Sequence, residues 1–306
     1  MRRAVLAAEL AIDAGPDKNI SEKSVHFVHD GHGESLLISS RKSGLVRWPL
    51  KKKTEQELQL GPGIQIDPSP GELMTSVEQS NQRVVMTNSQ TGKIRILPLD
   101  PGGNVMTIEE RPGVFDCAIS PDGAWLVATN VNPQTAMSQS PQAWDLGTGK
   151  PVKQFNNGGA GTVKFSPTGR WMVVSGNTCQ SASLPGWQPG PAIPADGVAF
   201  AISTDDRLLA VTADNRTRIY SFPEMNELVT LETPYDLPNN LGRLAFSPDR
   251  SKLVVLSNDG HLYLWDLTRL RAGLRQVGLD WESPTPTAAK VSDAVPQSIK
   301  ITVENR

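Results

Sequence analysis

Residues 244–267 read LAFSPDRSKLVVLSNDGHLYLWDL. Three short apolar strands are separated by two polar turns, and the stretch closes on Trp265-Asp266. The strands are nearly continuous in apolar character rather than alternating, which is the pattern of strands packed on both faces.

Five weaker copies precede this stretch from Val25 onward, and a repeat has to be recognised before any motif is weighed. Each unit opens on a strand and a turn: FVHDGHG, SVEQSNQ, CAISPDG, VKFSPTG, FAISTDD and LAFSPDR. A second apolar strand follows, such as RVVMT, WLVAT or LLAVT, and a third closes the unit, such as QAWDL, TRIYSF or LYLWDL. With Asp30, Gln79, Ser120, Ser166, Ser203 and Ser247 as equivalent positions, the spacings are 49, 41, 46, 37 and 44 residues. They cluster near the roughly 40–45-residue period of a four-stranded propeller blade.

Turn chemistry supports that register. In Ser120-Pro121-Asp122-Gly123 the proline presets φ, the aspartate can bond its own backbone, and the glycine takes a positive φ. Asn258-Asp259-Gly260 repeats the device one hairpin later. One such unit cannot bury its own faces, so the units must stack. The expectation is an all-β propeller of six, alternatively seven, four-stranded blades, spanning residues 25–267 with short flanking helices.

The pattern resembles the WD40 repeats, in which a third strand ends in Trp-Asp and an aspartate sits in the preceding turn. The matching residues are Trp144-Asp145 and Trp265-Asp266, with turn aspartates at Asp214 and Asp259. The match is strong in the sixth unit, fair in the third and fifth, and poor elsewhere. The Gly-His dipeptide of the family does not recur, which implies an incomplete buried network around the tryptophans. The resemblance implies a non-catalytic scaffold that binds protein partners. Two alternatives stay open: a sensing domain of a larger kinase-type signalling protein, and a propeller enzyme (hydrolase or lyase) with its site in the central channel.

The flanks read differently. Residues 1–18 form an Ala-rich helix and linker stopped at Gly15-Pro16. After Leu267, Thr268 can cap a helix within residues 268–281. Its apolar stripe is Leu267, Leu270, Leu274, Val277 and Trp281, with Arg269, Arg271 and Arg275 pointing elsewhere. This ending resembles that of WD40 regions in bacterial multidomain proteins, some of which carry a kinase. Residues 282–306 read as a flexible, Pro- and Thr-rich tail. Within it, residues 298–303 alternate like a strand, and either they or residues 19–25 would complete the last blade.

Formal net charge is −2 and the sequence pI about 6.1, so no overall field favours nucleic acid or an anionic membrane. No apolar run reaches the roughly 18 residues of a spanning helix. The expectation is a soluble, cytoplasmic chain with protein partners, no nucleic acid and no membrane insertion.

No kinase loop set and no Gly-x-Ser-x-Gly is present, and a strand, not a helix, follows the glycine-rich residues 157–161. His26, His29 and His32 are the densest ligand-type cluster. On a strand His29 faces away from the other two, so no metal and no cofactor is expected. Arg47 and Lys51–Lys53 form a basic run diluted by Glu55 and Glu57. Trp187, in the loop Pro185-Gly186-Trp187-Gln188-Pro189, is the candidate interaction residue if exposed, since aromatics are frequent binding anchors, while packing in the core or against its loop is the favoured reading.

Overall fold

The computed structural model describes residues 23–30, 33–54, 57–78, 80, 82–100, 102–110, 112–132, 134–135, 138–156, 161–194, 199–213, 216–231, 241–257, 262–281 and 300–303. The helix expected over residues 1–18 therefore lies outside the described residues.

Among the described residues six sheets follow one another along the chain, each built on consecutive antiparallel strands, and the first also takes in residues 300–303. The first holds β1 (Lys23–Asp30), β2 (Gly33–Ser40), β3 (Gly44–Thr54), β4 (Glu57–Leu60) and β5 (Ile64–Asp67). The second holds β6 (Leu73–Val77), β7 (Arg83–Asn88), β8 (Lys93–Pro98) and β9 (Met106–Glu109). The third runs through β10 (Val114–Ile119), β11 (Trp125–Val131), β12 (Ser138–Asp145) and β13 (Lys150–Gln154).

The fourth sheet is β14 (Val163–Phe165), β15 (Trp171–Val174), β16 (Thr178–Ser183) and β17 (Gln188–Pro194). The fifth is β18 (Ala199–Ile202), β19 (Leu208–Ala213), β20 (Arg216–Ser221) and β21 (Glu227–Leu231). The sixth has three strands: β22 (Leu241–Phe246), β23 (Lys252–Ser257) and β24 (Leu262–Asp266). The fold class is a six-bladed β-propeller with one short helix, α1 (Leu267–Gln276).

Contacts group the chain into two compact units, one holding β1–β11 with residues 144–151 and 293–306, the other holding residues 135–143 and 152–292 with the last three sheets. In the first, Val28, Leu37 and Leu45 pack on Met74, Val84 and Met86, and Val85 and Ile94 pack on Cys117 and Leu126. In the second, Val173 and Cys179 meet Phe200 and Leu209, and Ala210 and Ile219 meet Leu253 and Val255. The second strand of each sheet carries most of this core: all six residues of β19 are buried, while all five of β13 are exposed. Each fully buried Val, Leu or Phe contributes about 1.5–3 kcal/mol, so the continuous apolar runs mark the blade centres.

The strand at the C-terminus does not complete the last blade. β25 (Lys300–Val303) pairs parallel to β4 and extends the first sheet, with Lys300 opposite Glu57 and Val303 opposite Leu60. The other candidate, residues 19–25, enters β1, which pairs antiparallel with β2. After β24 the chain turns directly into α1, and among the described residues the sixth sheet has three strands.

That helix is capped by Asp266, not by Thr268: the Asp266 carboxylate accepts from the Arg269 amide at 2.9 Å. A carboxylate two residues before Thr268 reaches the orphan amides first and suits the positive end of the helix dipole.

Candidate functional site

The repeat turns between first and second strands share one construction. Ser120, Ser166 and Ser203 are buried, and Ser247 occupies the same place in the sixth sheet. Each hydroxyl accepts the amide five residues on: Trp125 at 2.9 Å, Trp171 at 3.2 Å, Leu208 at 2.9 Å and Lys252 at 2.9 Å. Each serine carbonyl accepts the amide three residues on, from Gly123, Gly169, Asp206 and Arg250. Those four residues all have positive φ, at 67°, 73°, 57° and 61°.

Glycine adopts that backbone freely, whereas Asp206 and Arg250 bear a steric cost. Both side chains reach the preceding blade. Asp206 accepts 2.7 Å from the Ser166 hydroxyl and also bonds the Thr168 hydroxyl. Arg250 donates to Asp205, while the Thr204 hydroxyl bonds the Pro248 carbonyl at 3.1 Å.

In the other unit the equivalent position is Gly123. Its carbonyl accepts Arg83 Nη2 at 2.9 Å, and Arg83 pairs with buried Glu78 at 2.6 Å. A Cβ at Gly123 would collide with that guanidinium. The fourth turn residue therefore decides how a blade is tied to its neighbour. Sequence reasoning missed this role, although the replacement of glycine by Asp206 and Arg250 was the visible signal.

Electrostatics follow the same geometry. Burial pushes the Asp205 carboxyl up, but hydrogen bonds from Ser203 and Arg250 and the Arg250 charge outweigh it and hold it below the usual carboxylate range. Asp249 is lowered to about 2, first by the Ser247 hydroxyl and then by the Ser251 amide and hydroxyl.

The two Trp-Asp dipeptides have parallel roles. Trp144 is buried in the core with Val85, Ile94 and Leu126, and Trp265 packs against the cluster of Leu244, Leu253 and Leu267. Each aspartate accepts the amide three residues on: Asp145 from Thr148 and Asp266 from Arg269, both at 2.9 Å. The same bond starts a hairpin turn in one case and a helix in the other. The Trp265 indole nitrogen is buried and finds no hydrogen-bond partner among the described residues. Asp214 and Asp259 lie outside the described residues.

Trp187 is packed rather than exposed, the favoured of its two readings. It is 7% exposed, with φ 53°, and its ring meets Phe155 edge-on with centroids 5.5 Å apart. Folding its loop back onto Phe155 covers both rings.

Among the described residues no three His, Cys, Asp or Glu side chains converge as a metal site. His29 is exposed and His26 half-buried on the opposite face of β1, and His32 lies outside the described residues. The basic run is split in space, since Arg47 is buried and Lys51–Lys53 are exposed along β3.

A second missed feature follows α1. Arg271 is 3% exposed, against the expectation that it points away. Its Nε donates to Asp280 at 2.7 Å, and Nη2 bonds Asp280 at 3.1 Å and the Trp281 carbonyl at 2.8 Å. The guanidinium lies 4.9 Å from the Trp281 ring centroid, and Arg275 reaches Asp280 at 2.8 Å. This clasp leaves Val277 and Leu279 exposed at its tip.

Both cysteines are free and buried. Among the described residues no helix is long and apolar enough to cross a membrane. The recurring polar groups thus bond backbone and neighbouring blades.

Comparison with known proteins agrees with this frame. The family model "WD domain, G-beta repeat" matches residues 237–266, which hold Trp265-Asp266 and the Ser247 turn. Over 95 residues the chain is 35% identical to U3 small nucleolar RNA-associated protein 4 of Schizosaccharomyces pombe. That match covers 30% of this chain and 13% of the relative, so the chain spans a small part of that protein's length. The relative is a yeast protein, and the resemblance to bacterial kinase-associated regions finds no support in it. The family match thus falls on the sixth sheet, within a fold whose class is the six-bladed propeller.

Proposed function

We propose that the chain is a non-catalytic scaffold that holds protein partners. The observation that carries this reading is the use made of the repeated polar residues. Ser120, Ser166, Ser203 and Ser247 brace turns, Asp206 and Arg250 join blades, and Asp145 and Asp266 cap strand ends. Chemistry that recurs from blade to blade serves the frame, which leaves recognition to segments that do not recur. Two such segments present exposed side chains: Lys51–Thr54 of β3, and Val277 with Leu279 beyond α1.

A cytoplasmic location belongs to the proposal, and cell fractionation tests it. The relative's name associates it with a small nucleolar RNA. Formal net charge −2 argues against nucleic acid as the direct partner here, so RNA enters as an arm of the test. The full chain is used as bait at physiological salt, with and without ribonuclease. A protein partner retained after ribonuclease treatment is the expected result. Recovery that vanishes with ribonuclease, or turnover of a small substrate by the purified chain without any partner, overturns the proposal.

A further inference from the structure

The first sheet differs from the others in its outer half. β3 runs for 11 residues, whereas the third strands of the other sheets run for 5 to 8. Its first part pairs with β5, through Leu45–Arg47, and its second part pairs with β4, through Leu50–Thr54. The chain between β4 and β5 passes Gly61-Pro62-Gly63, where the Gly61 amide bonds the Pro49 carbonyl at 2.8 Å. The β3–β4 hairpin is therefore an appendage to the blade.

The outer edge of such a hairpin is a row of backbone donors and acceptors that invites another strand. Here that strand is β25, four residues long and parallel to β4. Parallel pairing is somewhat weaker per residue than antiparallel pairing. A strand of only four residues held by parallel pairing is an exchangeable occupant.

We propose that the outer edge of β4 is a strand-docking site, and that the chain's own C-terminal strand is its resident occupant. An extended segment of a partner protein, with a basic residue followed by alternating β-branched residues, displaces it. The basic residue is specified by register, because Lys300 stands opposite Glu57. Opposite charges on paired positions favour one register over its neighbours. The β-branched residues are specified by Ile301 and Val303, the pattern that suits a pleated edge. Main-chain bonding supplies affinity and the alternate side chains supply selectivity, as in other strand-addition sites.

This deepens the scaffold reading and rests on it for the existence of a partner; the docking edge itself has a separate test. The probe is a labelled peptide of residues 298–304, SIKITVE, followed by fluorescence anisotropy. The proteins are the full wild-type chain and a full-length variant with Ile301→Pro and Thr302→Pro, which removes strand pairing in cis. A strand of the same chain, taken at an effective concentration on the order of 1 mM, weakens a competing peptide about tenfold when its own Kd is about 0.1 mM.

The expected result is binding to the variant and at least about tenfold weaker binding to the wild type. A peptide carrying Lys300→Glu should bind the variant more weakly. Amide exchange at residues 57–60 should be faster in the variant, while circular dichroism reports an unchanged fold. Absence of binding to the variant, equal binding to both proteins, or unchanged exchange at residues 57–60 overturns the proposal. A wild-type dimer that the variant fails to form names the tail of a second copy as the occupant, and overturns it as well. Peptide failure beside a successful pull-down removes only this site; the reverse result removes the scaffold reading.

Discussion

Asp206 sits at φ 57° and accepts a 2.7 Å hydrogen bond from the buried hydroxyl of Ser166, forty residues away on the preceding blade. A left-handed backbone costs a non-glycine residue roughly 1–2 kcal/mol. The strain is offset because only this geometry delivers the carboxylate to Ser166 and Thr168. Asp206→Ala should destabilise the protein by about 2 kcal/mol, since it keeps a strained backbone and leaves buried donors unpaired. Asp206→Gly should cost less, because it relieves the strain. Urea unfolding of Asp206→Ala, Ser166→Ala and the double variant should show a coupling of about 1 kcal/mol between the two sites; additive losses would refute it.

The two Trp-Asp dipeptides predict matched losses. Asp145→Ala and Asp266→Ala each remove one bond to the amide three residues on, so each should cost about 1 kcal/mol. Asparagine at either position retains an acceptor and should cost a few tenths. Thermal unfolding of the four variants measures this, and a marked difference between Asp145→Ala and Asp266→Ala would show that the caps are not equivalent.

The clasp beyond α1 predicts a spectroscopic change. Arg271→Lys cannot reproduce the forked pairing with Asp280 or the stacking on Trp281. It should loosen the segment at a cost on the order of 2 kcal/mol. Trp281 emission should move to longer wavelength, and Arg269→Lys, which alters an exposed arginine on the same helix, should leave it unchanged.

pH should act on the same clasp from the acid side. Hydrogen bonds from Arg271, partly opposed by burial, and then from Arg275 hold Asp280 below its ordinary value of 3.8. Asp249 is lowered further, to about 2. A carboxyl whose folded pKa is depressed contributes stability that is present above its unfolded pKa and lost as pH falls through the folded one. Both contributions should therefore be complete at neutral pH and fade only below about pH 4. Carboxyl NMR titration should place Asp249 near 2, and Ser247→Ala should raise it. Loss of either contact at pH 5 would contradict the assignment.

Thiol chemistry gives a global probe. Burial pushes the Cys179 thiol up to about 12 and the Cys117 thiol well above its ordinary value, in the latter case with help from the Asp116 and Glu110 charges. Neither should react with a disulfide reagent at pH 8 in the native state. Both should react after unfolding in urea, and fast labelling of one cysteine in the native protein would mark local opening of its unit.

Much of this molecule is written within a few residues at a time. The serine turns are legible because proline, aspartate and glycine act on their own backbone, and the apolar runs of β7, β11 and β19 are legible because blade centres exclude water. Those features determine the period and the all-β class, and leave the number of blades at six or seven. Tertiary structure alone decided what depends on a partner far along the chain. Helical periodicity puts Arg271 off the apolar stripe, and only Asp280 and Trp281, folding back past the helix end, make burying its charge favourable. Packing is the favoured reading of Trp187 from sequence, but nothing local names Phe155 as what it packs on. Residues 300–303 announce a strand, but an alternating tetrapeptide carries no address, and β4 became its partner because the β3–β4 hairpin has a free edge. Local chemistry determined the blades; the energies of non-local pairing decided how they are tied together and where the chain's end is held.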